Sequence, residues 1–146
     1  MFISVTRLRL RSLRFLPGFA WHTAASVRQL RRAPGFVAGQ FAGEGLRGFW
    51  TVTAWEAEPN MRAYRNSAAH RRAMPKLLAW CDEASVAHWE QDTPELPEPA
   101  AALARMRAEG RLSKVRHPSP AHAARQIAPE GQVPHPGPRV QPAHAR

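Results

Sequence analysis

Hydrophobic and polar side chains alternate along residues 2–10, and this period of two is that of a β-strand. From Phe19 to Arg32 the apolar residues instead recur at helical spacing, and Pro34 with Gly35 ends that helix. The pattern predicts four further elements in this order: strands at 36–41 and 49–55, a helix from Pro59 that breaks or kinks at Pro75, and a strand at 85–91.

The order strand, helix, strand, strand, helix, strand is the split βαβ pattern of the ferredoxin-like α+β fold, βαββαβ. The strand at 49–55 is nearly apolar on both faces, with Trp55 on one face and Trp50 and Val52 on the other. A sheet with helices on one side normally leaves its second face polar. We therefore expect a twin subunit to cover that face, with Trp50 in contact with the partner, as in a homodimeric α/β barrel.

The composition changes after Asp92. Residues 1–92 form the predicted ferredoxin-like domain, and residues 93–116 are an extended, proline-containing link with a short helix near residues 100–109. The segment 117–146 is rich in proline and poor in residues that could build a core, so it is predicted to be a disordered tail.

The net charge of +10 is unevenly distributed, because no acidic residue precedes Glu44. The arginines are scattered and no nucleic-acid-binding module is recognisable, so we expect no nucleic-acid partner. Peripheral contact with an anionic membrane surface stays open. The single cysteine, Cys81, cannot form an internal disulfide, and no apolar run is long enough to span a bilayer. A reducing, cytoplasmic location fits these features.

Two histidines are candidates for chemistry. His70 lies on the second helix, six residues after Tyr64, and could ligate haem iron or move protons; the alternative is a surface residue beside Arg71 and Arg72. His88 lies on the last predicted strand, where a structural hydrogen bond is an equally simple explanation. Trp55 ends a central strand and either walls a ligand cavity or belongs to the core.

Several strings of residues carry a resemblance to a known family. They are Arg14–Gly18, Arg28–Phe36, Phe49–Thr51, Ala69–Lys76 and Trp80–Val86 with His88 and Trp89. This pattern resembles the spheroidene monooxygenase family, within the wider antibiotic biosynthesis monooxygenase group of dimeric α/β barrels. The resemblance implies haem-dependent oxygenation of an acyclic carotenoid.

Haem-degrading members of the wider group use an Asn, a Trp and a His at positions that correspond here to Thr6, Trp55 and Met74. Only the Trp is retained, so the resemblance does not imply haem degradation. It does imply an apolar pocket lined by Thr6, Trp55, Tyr64 and Met74.

Three functional hypotheses follow from these residues. In a haem enzyme, His70 would ligate the iron, Arg71 would bind a propionate and Trp55 would contact the macrocycle. In an oxygenase without haem, His70 or His88 would serve as the base. The alternative is a non-catalytic protein that binds an apolar small molecule on the same scaffold.

Overall fold

The computed structural model describes residues 1–129 and 132–144, and its centre is one antiparallel sheet of six strands in the order β5-β4-β1-β3-β2-β6. The strands are β1 (Phe2–Leu10), β2 (Phe36–Glu44), β3 (Gly48–Trp55), β4 (Cys81–Glu90), β5 (Arg111–Leu112) and β6 (His135–Val140). The helices are α1 (Leu16–Leu30), α2 (Glu58–Arg65), α3 (Ala68–Trp80), α4 (Pro99–Glu109) and α5 (Pro120–Ala123), with a short 3-10 helix at Leu13–Phe15. The predicted α+β class and the βαββαβ core are confirmed.

Alternate side chains of β1 lie on opposite faces of the sheet, and each face is covered by different elements. β1 lies between β3 and β4, with Val5 opposite Val52 and Ala87. Even-numbered β1 residues such as Thr6 face α1, α2 and α3, and we name this side the inner face. The odd-numbered residues, beginning with Ile3, lie on the opposite side, which we name the outer face.

The helices differ in one respect from the pattern in the sequence. The sequence predicts a break or a kink at Pro75; there is no break, because Pro75 lies inside α3, which continues to Trp80. The proline removes one backbone hydrogen bond, and packing against α1, with Ala73 only 2% exposed, holds the helix together across that gap. In the part of the chain that the structure describes, no helix combines the length and apolar character needed to cross a bilayer.

The outer face is covered by the chain itself. Trp50 and Met106 are both fully buried there, in one cluster that also contains Val52, Leu103 of α4 and Ala128. The expectation that Trp50 contacts a partner subunit is therefore wrong. The apolar outer face does need a cover, but α4 and the residues after it supply one within the same chain.

The predicted disordered tail at 117–146 includes residues 130, 131, 145 and 146, which lie outside the described residues, and the described part of this segment differs from the prediction. Residues 135–140 form β6, which pairs with β2 through Gly39 with Val140 and Gly43 with His135. Proline is tolerated here because β6 is an edge strand, where an N–H is not required on the open side. Val140, 7% exposed, packs in the cluster that contains Trp55.

A buried ion cluster joins three strands at one end of the outer face. The Arg7 guanidinium donates from Nε to Glu44 Oε2 over 2.8 Å and from Nη1 to Glu83 Oε2 over 2.6 Å. Ser119 donates from its hydroxyl to Glu83 Oε1 over 2.9 Å. Burial disfavours the carboxylate, but the hydrogen bonds from Arg7 and Ser119 outweigh it and hold the pKa of Glu83 below its usual value. The cluster therefore ties the segment after α4 to the sheet.

The cover on the outer face can be tested through Met106. Truncating this fully buried side chain in Met106→Ala should lower the free energy of unfolding by about 2–5 kcal/mol, the usual range for a buried Met replaced by Ala. Leu46→Ala is the control, because Leu46 is 78% exposed and its loss should change stability by no more than about 0.5 kcal/mol. Urea unfolding measures both, and equal effects would contradict the described packing.

Candidate functional site

A largely apolar cavity of about 190 Å³ lies between the inner face and the three helices α1, α2 and α3. Its walls include Phe19 and Val27 from α1, Phe49 from β3, and Met74 and Leu77 from α3. Alternation along the strands directs every second side chain into this space, and the helical stripes of α1 and α3 close it. A concave, largely apolar space with a few polar groups is the usual form of a small-molecule site.

One wall of the cavity is the indole of Trp55, which is fully buried. Its ring lies 5.5 Å from that of Phe36 and 5.4 Å from that of Tyr64, measured between centroids. Trp55 Nε1 donates to Thr53 Oγ1 over 2.9 Å, and the Thr53 hydroxyl donates to the backbone carbonyl of Ser4 over 3.3 Å. Because its N–H is already satisfied, Trp55 offers a ligand only its apolar ring.

Tyr64 is held by a hydrogen bond to α1. Its hydroxyl donates to the carbonyl oxygen of Ser26 over 3.2 Å. Burial raises the pKa of Tyr64 well above its ordinary value. The phenol therefore stays protonated near neutral pH and fixes α2 against α1, without exchanging protons with a ligand.

His70 lines the cavity at the first turn of α3. Its Nδ1 is 3.1 Å from the carbonyl oxygen of Arg65, and its ring centroid is 5.0 Å from that of Tyr64. A carbonyl oxygen only accepts, so we assign the proton to Nδ1. Burial lowers the pKa of His70, which favours the neutral ring. Nε2 then carries a lone pair and can accept a proton.

The position of His70 depends on Gln29, a residue that no pattern in the sequence singles out. Gln29 Oε1 accepts the backbone N–H of His70 over 2.9 Å. Gln29 Nε2 lies 3.0 Å from the carbonyl oxygens of both Tyr64 and Ser67. One side chain of α1 therefore fixes both the end of α2 and the start of α3. A single polar residue in an amphipathic helix carries no pattern that identifies such a role.

His88 lines the same cavity from β4. It is half-buried, and its ring lies 5.3 Å from that of Phe2. Burial lowers the pKa of His88, and the positive charge of Arg111 adds to this effect. Both predicted histidines thus line one largely apolar cavity, and the lowered pKa of each favours its neutral imidazole.

The other predicted residues divide into two sets. Thr6 and Met74 line the cavity together with Trp55 and Tyr64, so the structure brings these four residues together. Arg71 is exposed and does not line the cavity. A propionate bound by Arg71 would therefore lie outside this space.

Cysteine chemistry is unfavourable in this fold. Cys81 is a buried free thiol, and burial, aided by the charge of Asp82, raises its pKa to about 12. Thiolate is the nucleophilic and metal-binding form, so Cys81 is inert near neutral pH. Within residues 1–129 and 132–144, no three metal-ligating side chains converge.

Haem does not fit the cavity in this conformation. Pockets that bury a drug-sized ligand measure about 300–1,000 Å³. The present cavity of about 190 Å³ is smaller than these pockets, and a haem is larger than a drug-sized ligand. His70 could present Nε2 to an iron atom, but the macrocycle would have to displace α1, α2 or α3. The cavity volume thus favours a compact occupant.

Comparison with known proteins shows the fold. No protein-family model and no curated protein matches the sequence significantly. Among solved structures, a Nitrosomonas europaea protein described as an antibiotic biosynthesis monooxygenase is 14% identical, with a TM-score of 0.57, over 64% of this chain and 100% of that one. A variant of SnoaB, a cofactor-independent oxygenase from Streptomyces nogalater, is 17% identical, with a TM-score of 0.53, over 64% and 97% of the two chains. A conserved protein from Methanosarcina mazei is 12% identical, with a TM-score of 0.55, over 62% and 92%. The chain therefore has the ferredoxin-like fold of the antibiotic biosynthesis monooxygenases.

The burial of His70 predicts a pH dependence of stability. Its folded pKa is below the unfolded value of about 6.5, so the unfolded chain binds the proton more readily. Stability should therefore fall as pH falls from about 6.5 toward the folded pKa, and be unaffected by His70 above that window. In His70→Asn this part of the decline should disappear.

Urea unfolding between neutral and mildly acidic pH measures this difference. The same replacement at the exposed His117 controls for the loss of a histidine as such. An identical pH dependence in wild type and His70→Asn would contradict the described environment of His70.

Proposed function

We propose that this protein is a monooxygenase-type enzyme that needs no haem and acts on a compact, apolar molecule with an acidic C–H group. The observation that supports this proposal is the apolar cavity of about 190 Å³ with the neutral His70 on its wall. The cavity lining is largely apolar, and the imidazole supplies a base where few other polar groups are free to react.

The proposed reaction begins with proton transfer from the substrate carbon to His70 Nε2. The hydrogen bond from Nδ1 to the Arg65 carbonyl keeps the ring in the required tautomer and partly offsets the positive charge that develops on it. The resulting carbanion reacts with dioxygen, which is apolar and enters an apolar cavity readily. For an activated methylene, one oxygen atom becomes a carbonyl and the other leaves as water with the two hydrogens.

His88 provides a second base on the same cavity wall. We assign the first proton transfer to His70, because its Nδ1 and its backbone N–H are both fixed by hydrogen bonds. A fixed base spends less time out of reach of the substrate. The His88 ring contacts that of Phe2, and in the described part of the chain no side-chain hydrogen bond fixes it.

The size of the cavity argues for a compact substrate in place of the carotenoid that the spheroidene monooxygenase resemblance implies. An acyclic carotenoid is far longer than a cavity of about 190 Å³ can enclose. The wall formed by Trp55 and Tyr64, with Phe36 packed against Trp55, suits one or two fused rings held by dispersion and area burial.

We place the complete cavity within one subunit. A homodimer in which two outer faces pack together would require α4 to leave the sheet and expose the cluster around Trp50 and Met106. Any homodimer would therefore form through another surface, and the base and the aromatic wall both come from a single chain.

The alternative function is non-catalytic binding of the same kind of molecule. The observation that favours it is that the Tyr64 hydroxyl and the Trp55 N–H are both engaged within the protein. Few groups then remain to stabilise a charged intermediate. A measurement of turnover distinguishes the enzyme from the non-catalytic binding protein, whereas a measurement of binding does not.

Binding can be tested with 2-tetralone, a two-ring ketone with an activated methylene. Ala73 is 2% exposed and lines the cavity, so Ala73→Leu should fill part of it and weaken binding by at least about tenfold, the effect of roughly 1.4 kcal/mol of lost contact. Ala24→Leu makes the same change at an exposed position of the neighbouring helix α1 and should bind as wild type does. Quenching of tryptophan fluorescence measures the affinity, and equal affinities would exclude this cavity as the binding site.

Catalysis can be tested by oxygen consumption with the same compound. His70→Asn keeps a donor for the Arg65 carbonyl but removes the base, so the rate should fall by about 10²–10⁴-fold while the affinity changes little. His88→Asn should reduce the rate far less. Binding without oxygen consumption by the wild type would support the non-catalytic alternative and refute the proposed reaction.

The absence of a haem requirement has its own test. Haem added to the purified protein should give no saturable shift of the Soret band, because the cavity is too small for the macrocycle. A stoichiometric shift that disappears in His70→Ala would show haem ligation by His70 and would contradict the proposal.

A further inference from the structure

An exposed apolar patch lies at the start of α1 and carries no explained role. Leu13, Leu16 and Trp21 are 46%, 37% and 75% exposed. They account for half of the six large hydrophobic residues that are exposed among residues 1–129 and 132–144. We define these three residues as the Trp21 patch. Isolated exposed apolar residues are ordinary, but three within nine positions, including a tryptophan that is 75% exposed, make this end of α1 a candidate contact surface.

The patch rests on a rigid support. The Phe15 ring stacks on that of Trp80 with centroids 5.9 Å apart, and Arg11 and Arg14 lie over the Phe15 ring at 4.5 Å and 4.7 Å. A Cβ atom at Gly18 would lie 2.8 Å from the Trp80 ring, so α1 approaches Trp80 as closely as a glycine permits. The start of α1, which carries the exposed side chains, is therefore packed closely against the end of α3.

The surroundings of the patch are cationic. The two helices that pack together here, α1 and α3, contain no acidic residue, and no acidic residue precedes Glu44 in the chain. The cations on the 3-10 helix and on these two helices are Arg14, Arg28, Arg71, Arg72 and Lys76. Exposed apolar residues with cationic side chains around them are complementary to a surface that has an apolar interior and anionic groups outside.

We propose that the Trp21 patch is a peripheral membrane-binding surface that recognises anionic lipid. Trp21 and the two leucines enter the boundary between headgroups and acyl chains, where tryptophan is most favourable. The surrounding arginines and Lys76 contact the lipid phosphates. This inference uses only the surface of the 3-10 helix, α1 and α3, and it stands whether or not the cavity is catalytic.

The opposite side of the sheet offers a matched control. Arg105 is an exposed residue of α4, the helix that covers the outer face on the side of the sheet opposite to α1 and α3. Replacing Arg14 or Arg105 by Gln changes the net charge by the same amount. If only the overall charge of +10 held the protein on the membrane, both replacements would weaken membrane binding equally.

The test is cosedimentation with phosphatidylcholine vesicles that contain or lack phosphatidylserine. Wild type should bind only the vesicles with phosphatidylserine, and less at high salt. Arg14→Gln should weaken binding by about fivefold, as expected for one cation at an anionic surface. Trp21→Ala should weaken it at least as much, and Arg105→Gln should retain clearly more affinity than either. Equal losses in Arg14→Gln and Arg105→Gln would overturn the proposal.

A second readout reports insertion directly. Trp50 and Trp55 are fully buried, and Trp21 is the tryptophan with the large exposed fraction. Lipid brominated on the acyl chain should quench part of the emission of wild type, and this part should be lost in Trp21→Phe, which keeps an apolar ring. Unchanged quenching in Trp21→Phe would contradict insertion. A dimer mass that reverts to a monomer in Trp21→Ala, without vesicle binding, would show that the patch binds a second copy instead.

Discussion

The structure depends on how the apolar outer face of one antiparallel sheet is removed from water. A four-stranded βαββαβ unit covers only one side of its sheet with helices, and here the other side carries Ile3, Val5, Trp50 and Val52. α4 packs Leu103 and Met106 against that side, and the ion cluster of Arg7 with Glu44 and Glu83 connects three strands at its end. Removing one partner of such a buried pair would leave an uncompensated charge, so the cluster fixes the arrangement more than it adds stability.

Closing the outer face within one chain allows the inner face to hold a cavity. Both faces contain fully buried side chains, Trp50 and Met106 on the outer face and Trp55 on the inner face. On the inner face, Tyr64 and Gln29 also fix α1, α2 and α3 through hydrogen bonds to backbone carbonyls. These polar ties hold the helices in place without filling the space between them. The cavity is therefore kept open by the same contacts that position His70.

The sequence predicted the elements whose signals are local. The alternation along β1 and the apolar strand β3 determined the sheet core. In the structure, strand period and helical spacing direct the two histidines and Trp55 toward one cavity. The role of Trp50 was predicted wrongly. An apolar face shows that a cover is needed, but not whether the cover is a second subunit or a helix further along the chain.

The remaining differences have the same origin. Pro75 has an unfavourable local propensity, and packing of α3 against α1 outweighs it. β6 has a proline-rich composition that is typical of disorder, yet it pairs with β2 because an edge strand tolerates proline. The roles of Gln29 and Ser119 arise from contacts between residues distant in the chain, which a single sequence does not reveal.

The most direct measurement of the central claim is an isotope-filtered nuclear Overhauser experiment on labelled protein with unlabelled 2-tetralone. The account predicts contacts from the ligand to inner-face residues such as Thr6, Trp55 and Met74, all within one chain. Contacts to the outer-face residues Ile3, Trp50 or Met106 would show that α4 does not close that face and would contradict the account.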